Sequence, residues 1–174
     1  MKINASLGNL KKVIDELNKY KEELERKRIE FLNRLSDAGI EMAESQLGEF
    51  AGMVVFRKEI DENGAIIVAT DKEVVIKSWY TDKKLTNERH YEISPLLLAE
   101  FGSGFYATVL QDIEGVGQGT MPGQRHAFDT KGWWWYEADG TKHHSYGEPP
   151  KMPMYLATLE METQIQKIAR EVFG

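Results

Sequence analysis

Cysteine is absent from all 174 residues of this sequence. A disulfide framework, a thiolate metal site and a cysteine nucleophile are therefore excluded, and we expect the chain to reside or assemble in a reducing compartment. The sequence also lacks any run approaching the roughly 20 apolar residues of a membrane-spanning helix. Its first residues lack the apolar segment of a secretory signal. Together these absences predict a soluble intracellular protein with no membrane partner.

An excess of positive charge is missing as well. The chain has 22 Lys and Arg against 28 Asp and Glu, a net charge of −6. Nucleic-acid readers neutralise phosphates with clustered basic residues. From Lys19 to Arg28, in contrast, basic residues are interleaved with acidic ones, as on a solvated helix face. We expect no specific nucleic-acid binding, although mild negative charge would keep DNA from sticking to a channel through which it passes.

The length and composition predict one domain over residues 1–174, because the chain can bury one core but not two independent ones. Apolar residues between Leu7 and Met42 recur every three or four positions, which predicts a helical region over 1–48. Gly39 suggests a bend or break near 37–39. The pattern covers few heptads and misses one core position, so we favour an amphipathic helix lying on a sheet or a neighbouring subunit over the competing coiled coil.

From residue 53 to residue 80 the apolar period changes to two, which predicts a three-stranded antiparallel meander. Asn63-Gly64 is its strongest turn signal, because both residues tolerate positive φ. Residues 81–94 are polar and are predicted to form an exposed loop. Pro95 begins a segment for which a short helix is favoured over a strand.

Residues 95–147 are predicted to be a loop-rich region that ends in a second hairpin, built from 133–137 and 142–146 around Asp139-Gly140. Helical spacing returns over 152–173. The predicted fold class is α+β, in which a long N-terminal helix and a C-terminal helix pack on an antiparallel β-sheet made of the meander and the hairpin.

Chemistry-bearing patterns are weak. The glycines of residues 115–119 lack the Lys-Ser/Thr of a P-loop. His126, Asp129, His143 and His144 are residue types that bind zinc or manganese, but strand neighbours such as His143 and His144 point to opposite faces. No Gly-x-Ser-x-Gly elbow is present. We expect no catalytic residue, no metal and no cofactor.

The run Trp133-Trp134-Trp135-Tyr136 is the most informative motif. On a strand its rings alternate, with Trp133 and Trp135 on one side and Trp134 and Tyr136 on the other. One side can serve as core, and the other must be covered, because exposed tryptophan clusters mark interfaces. A subunit interface is the favoured interpretation; a strand covered on both faces and a sugar-stacking platform are the alternatives.

Three motifs follow one another along the chain: Glu100-Phe101-Gly102, the Gly/Trp hairpin of 132–147 and the Pro-started helix containing 153–155. In order and spacing they resemble the tail-completion and head–tail joining family of tailed bacteriophages, the gene-product-ten-like neck proteins. The resemblance implies a structural virion protein of a phage or tail-like particle. It would form a homo-oligomeric neck ring, a hexamer or dodecamer, that joins the tail to the head connector, with DNA passing through without specific binding.

The resemblance also implies the partners: neck, connector and tail-tube proteins, met in the virion after assembly in the host cytoplasm. It implies no catalysis and no cofactor. The alternatives are a carbohydrate- or cell-wall-binding module that uses the tryptophans and a small metal-dependent enzyme that uses the histidines. The candidate interface residues share aromatic character or membership of the motifs, and are Glu100, Phe101, Trp133, Trp134, Trp135, Tyr136 and Tyr155.

Overall fold

The computed structural model describes residues 7–73, 75–108 and 129–174. In this part of the chain the helices are α1 (Leu7–Leu47), α2 (Pro95–Phe101) and α3 (Pro153–Phe173), and short 3₁₀ turns cover Gly48–Phe50 and Gly104–Tyr106. The strands are β1 (Val54–Ile60), β2 (Ala65–Asp71), β3 (Val75–Tyr80), β4 (Glu88–Ile93), β5 (Trp133–Tyr136) and β6 (Lys142–Ser145). The α+β class is confirmed, with both long helices packing on antiparallel sheets.

Helix α1 is continuous over 41 residues, so the break predicted near 37–39 is wrong. Gly39 is buried, and a Cβ atom there would lie 2.9 Å from Ile67 Cδ1 and from Met161 Cγ. The glycine therefore lets α1 approach β2 and α3 closely. Packing against these two elements offsets its low helix propensity.

Helix α3 runs antiparallel to the C-terminal half of α1. At its C-terminal end the Phe173 ring lies 5.9 Å from the Phe31 ring, and Glu171 forms an ion pair with Arg34. Near its N-terminal end Lys151 Nζ lies 3.0 Å from Glu49 Oε1, just after α1. The half of α1 after Phe31 is thus covered by α3, as an amphipathic helix requires.

Strands β1 and β2 form a two-stranded antiparallel sheet. The hairpin predicted at Asn63-Gly64 is confirmed, but its basis differs because neither residue has positive φ. Asp61 Oδ1 instead accepts hydrogen bonds from the backbone N–H of Asn63 (2.8 Å) and of Gly64 (3.0 Å). Arg28 Nη1 donates to Asp61 O at 3.0 Å, which joins this turn to α1.

Strands β3 to β6 form a second sheet in the order β4-β3-β5-β6. The three-stranded meander is therefore wrong, because β3 pairs with β4 and, at Tyr80, with Tyr136 of β5, and not with β2. The exposed loop predicted over 81–94 is wrong over Glu88–Ile93. Strand β4 lies at the sheet edge, where exposed charged side chains are common because they discourage pairing with other chains.

The core lies where α1 ends. Leu47, Phe50, Val54 and Ala99 are buried together, which joins α1, the first 3₁₀ turn, β1 and α2. Burial of this apolar cluster helps to hold α1 and α2 on the first sheet.

The short helix favoured at Pro95 is confirmed. Asp71 fixes its start, because Asp71 Oδ1 accepts the Leu96 N–H at 2.8 Å and Asp71 also bonds the Ser94 hydroxyl. Ser94 Oγ accepts the Leu97 N–H at 3.1 Å and so caps the helix. These bonds join α2 to the end of β2 and position the residues that follow α2.

Candidate functional site

The predicted tryptophan hairpin is confirmed as β5 and β6. Its turn is closed by hydrogen bonds from Glu137 N–H to Thr141 O (3.0 Å) and from Gly140 N–H to Glu137 O (2.9 Å). Asp139 Oδ1 accepts the Thr141 N–H at 2.8 Å, and this bond lowers the pKa of the Asp139 carboxyl. The turn sets the register that places each tryptophan opposite a specific residue of β6.

Two histidines of β6 stack on two tryptophans of β5. The Trp134 and His144 rings lie 4.2 Å apart, and so do the Trp135 and His143 rings. Because neighbours on a strand face opposite sides, one stack lies on each face of the hairpin. This separation confirms that His143 and His144 do not share one site. Lys142 Nζ lies 3.8 Å from the centre of the Trp134 ring, a cation–π contact.

The Trp134 face carries an exposed group of aromatic side chains. Trp134 is 53% exposed and Tyr146 is 47% exposed, and the His144 ring lies between them, 4.6 Å from that of Tyr146. Phe105 and Tyr106, both also exposed, contact each other edge to face, and the Phe105 N–H donates to Tyr146 O at 2.7 Å. We call these five residues the aromatic patch: three lie on the Trp134 face of the hairpin, and two belong to the 3₁₀ turn whose backbone pairs with Tyr146.

Backbone pairing holds the 3₁₀ turn of Gly104–Tyr106 against the end of the hairpin. Ser103 N–H donates to Glu148 O at 2.7 Å, and Ser103 Oγ accepts the Glu148 N–H at 3.0 Å. Gly147 has a φ of 104°, and a Cβ atom there would lie 2.0 Å from Ser103 O. Only glycine fits this approach without strain, so Gly147 allows the backbone pairing that joins the two parts of the aromatic patch.

The predicted interface residues separate by exposure. Trp134 and Tyr155 are exposed, at 53% and 54%, and both remain available for contact with another molecule. Four of the others are half-buried: Phe101, Trp133, Trp135 and Tyr136. Trp133 packs close to Gly104, where a Cβ atom would lie 2.5 Å from its ring. These four contribute to packing within the chain.

Glu100 has an intramolecular role. Its Oε2 accepts the Met154 N–H at 2.8 Å and its Oε1 accepts the Tyr155 N–H at 3.1 Å. Met152, the residue before α3, has a φ of 54° and makes no capping bond with its own side chain. The Glu100 carboxylate therefore satisfies the first free N–H groups of α3 and lies at the favourable end of the helix dipole.

Sequence reasoning missed four members of the aromatic patch: Phe105, Tyr106, His144 and Tyr146. A signal existed for His144, because the turn at Asp139-Gly140 sets a register in which Trp134 and His144 are opposite. No local signal identifies Phe105, whose position depends on backbone pairing with a residue 41 positions away.

Residue types that bind metals are dispersed in the part of the chain that the structure describes. No three His, Asp or Glu side chains there are grouped to hold a metal ion. His143 Nε2 lies 3.0 Å from Glu137 Oε1, while His144 Nε2 contacts Lys131 O at 2.8 Å. His126 and the glycine-rich loop of 115–123 lie outside the described residues. Among the described helices, none has the length and apolar character needed to cross a bilayer.

An open groove of about 600 Å³ lies between α1 and α3. Charged side chains of both signs line it, and two of them have partners on neighbouring elements. Arg34 forms an ion pair with Glu171, and Asp37 Oδ1 accepts from Lys58 Nζ at 2.7 Å. These pairs give the groove a structural role in joining α1 to α3 and β1.

No protein-family model, curated protein or solved structure matches this chain. The likeness to phage neck proteins is therefore a hypothesis that depends on the short motifs given above. The exposed surfaces carry the functional argument.

Proposed function

We propose that this chain is a structural assembly subunit at the neck of a tailed bacteriophage or a phage tail-like particle. In this role it completes the tail or joins it to the head connector as part of a homo-oligomeric ring. It performs no catalysis, and its partners are further copies of itself and the neighbouring neck, connector and tail-tube proteins. The sequence motifs suggest the family, and the surface supports a role in assembly.

The observation that carries the proposal is the aromatic patch. Large aromatic side chains are the residues that most often dominate protein–protein binding, and exposed apolar groups of this kind mark interaction sites on soluble proteins. Trp134 and Tyr146 are each about half exposed, yet their backbone is held in place by the hairpin and by the pairing with the segment that follows α2. A rigid aromatic surface loses little conformational entropy on binding, which favours a permanent contact.

The geometry favours a protein partner over a sugar. A sugar-stacking platform needs a flat, open aromatic face. The Trp134 ring is instead stacked by His144, and Lys142 Nζ lies 3.8 Å from its centre. A cationic group next to a half-exposed tryptophan suits an acidic and apolar protein surface.

Deletion and complementation in the source genome test the proposal. Deletion of the coding sequence should leave heads and tails that do not join in electron micrographs, and the wild-type chain should restore joining. A chain with Trp134→Ala and Tyr146→Ala should fold but fail to restore it. Ile66→Ala, which removes an exposed apolar side chain from the other sheet, is the matched control and should restore it.

Three results would overturn the proposal. The first is normal joining after deletion, and the second is full complementation by the double variant. The third is saturable glycan binding by the purified chain that the same double variant abolishes, which would favour the carbohydrate-binding alternative.

A further inference from the structure

The N-terminal half of α1 extends beyond the rest of the described chain. All residues from 9 to 26 are exposed, whereas Lys27 and Arg28 are the first to be partly covered, beside the β1–β2 turn. At a rise of about 1.5 Å per residue, these turns extend roughly 27 Å. A long helix exposed on every side is stable in water only with favourable side-chain contacts.

This exposed half carries an apolar stripe. The spacing between its members alternates between three and four residues, and their exposed fractions range from 47% to 64%. The members are Leu10, Val13, Leu17, Tyr20 and Leu24. Such spacing places them at the a and d positions of a heptad repeat, with Leu at each a position. Such a stripe is typical of a coiled-coil seam, and no second helix covers it in the described part of the chain.

The same stripe continues into the core. Phe31, the next a position, contacts Phe173 at the end of α3. Helix α3 thus covers the stripe from Phe31 onward, and nothing in the described chain covers it before Lys27. The uncovered part begins where α3 ends.

We propose that the N-terminal half of α1 packs in parallel against the same segment of a second copy of this chain, with Leu10, Val13, Leu17, Tyr20 and Leu24 as the seam. The proposal depends on the side chains that flank the stripe. In this heptad register the g positions hold Glu16 and Glu23, and the e positions that follow them hold Lys21 and Arg28. The two flanks of the seam therefore carry opposite charge.

Charge complementarity fixes the orientation. In a parallel pair each g residue meets the following e residue of the other copy, so that Glu16 meets Lys21 and Glu23 meets Arg28. In an antiparallel pair g meets g and e meets e, which would oppose Glu to Glu and Lys to Arg. Like charges on facing positions are destabilising, so the flanks select the parallel arrangement.

The Glu16–Lys21 pair tests the parallel orientation more directly than the Glu23–Arg28 pair, whose members already have partners within one chain. Arg28 already donates to Glu25 and to Asp61 O, and Glu23 lies 3.8 Å from Lys27 within its own helix. Lys27 occupies the next d position, and a lysine there disfavours further apolar packing. The seam therefore ends at Leu24.

Parallel packing agrees with a cyclic assembly, because rotation about one axis keeps all helices along that axis parallel. The inference goes beyond the proposed function and does not depend on it, since a parallel seam would form in any self-associating protein with this helix. Its failure would leave the aromatic patch and the deletion test untouched.

Sedimentation of the purified full chain, measured over a range of concentrations, tests the seam. Wild type should associate. Leu17→Asp should weaken association at least about tenfold, because each copy then places a carboxylate in an apolar seam. Asn18→Asp adds the same charge one position away, at an exposed b position, and should associate as wild type does. Equal association of Leu17→Asp and wild type, or a strictly monomeric wild type, would overturn the proposal.

Cysteine crosslinking tests the orientation, and the absence of native cysteine makes the result unambiguous. In a parallel seam in register, Leu10→Cys and Leu24→Cys should each form a disulfide with an identical copy, because facing a positions lie within reach of a disulfide. In an antiparallel seam each a position packs against a d position of the other copy, so Leu24→Cys would instead crosslink with Val13→Cys or Tyr20→Cys in a mixture. That result, or no crosslink in either variant, would overturn the proposal.

Charge reversal provides an independent readout of the same pair. Glu16→Lys alone and Lys21→Glu alone should each weaken association, because each places like charges opposite one another. The double variant exchanges the two charges and should restore association. If the double variant is as weak as the single ones, Glu16 and Lys21 do not meet across the seam and the parallel assignment is wrong.

Discussion

Replacement of Glu100 by alanine is the most direct test of the difference between a role inside the chain and a role at an interface. The Glu100 carboxylate accepts two backbone hydrogen bonds, at 2.8 Å and 3.1 Å, from the first turn of α3. Glu100→Ala leaves those N–H groups without a protein acceptor. Helix caps contribute about 0.5–2 kcal/mol, and hydrogen bonds to charged groups contribute about 1.5–3 kcal/mol.

We therefore expect Glu100→Ala to lower the free energy of unfolding by about 1.5–3 kcal/mol. For a chain of this length each kcal/mol corresponds to about 2–4 °C in Tm. The expected decrease is then about 3–12 °C, measured by differential scanning calorimetry or by circular dichroism during heating. Glu100→Gln keeps one acceptor oxygen and should lose about half as much.

Glu162→Ala is the matched control, since it removes an exposed carboxylate from the surface of α3, the helix that Glu100 caps. It should change the free energy of unfolding by no more than about 0.5 kcal/mol. The capping argument is refuted if Glu100→Ala melts with the wild type. If that variant keeps its stability but no longer assembles, Glu100 belongs to an interface, as its motif suggested.

Other variants test the turns and the patch. Gly147→Ala should lower the free energy of unfolding in urea by more than about 2 kcal/mol, because at positive φ a Cβ atom would lie 2.0 Å from Ser103 O. Gly64→Ala is the control and should be close to neutral, because nothing lies within 4 Å of a Cβ atom there. Hydrogen bonds from Asn63 and Gly64 lower the pKa of Asp61. That carboxylate therefore stabilises the fold above the ordinary aspartate pKa, and the contribution is lost as pH falls through the folded-state pKa. Acid titration should accordingly destabilise wild type more than Asp61→Ala, and equal acid sensitivity would contradict this.

The sequence predicted which segments are regular better than it predicted how they pair. The period of two identified β1, β2 and β3, because alternating burial leaves a local pattern. The partner of β3 leaves no such pattern, and β4 was missed because an edge strand with Glu88, Arg89 and His90 resembles a polar loop. Strand pairing is a property of two distant segments, and a single segment does not encode it.

The candidate site divides in the same way. Alternation along β5 correctly separated Trp134 from Trp135, since it follows from strand geometry alone. The capping role of Glu100 was not predictable, because its partners are 54 and 55 positions away and carry no side-chain signal. Gly39 illustrates a third case, in which a residue that weakens a helix locally is required by tertiary packing.

Helix α1 shows why an apolar stripe has to be compared with the lengths of the elements that cover it. Periodicity reports that a helix has an apolar face but not what lies on that face. The predicted bounds of the two long helices already differed about twofold in length, and in the structure α1 has 41 residues and α3 has 21. An antiparallel helix of half the length can cover only half of the stripe. The other half, from Leu10 to Leu24, must then contact another molecule or remain exposed, and the opposite charges along its two edges make a parallel copy of the same helix the contact that fits best.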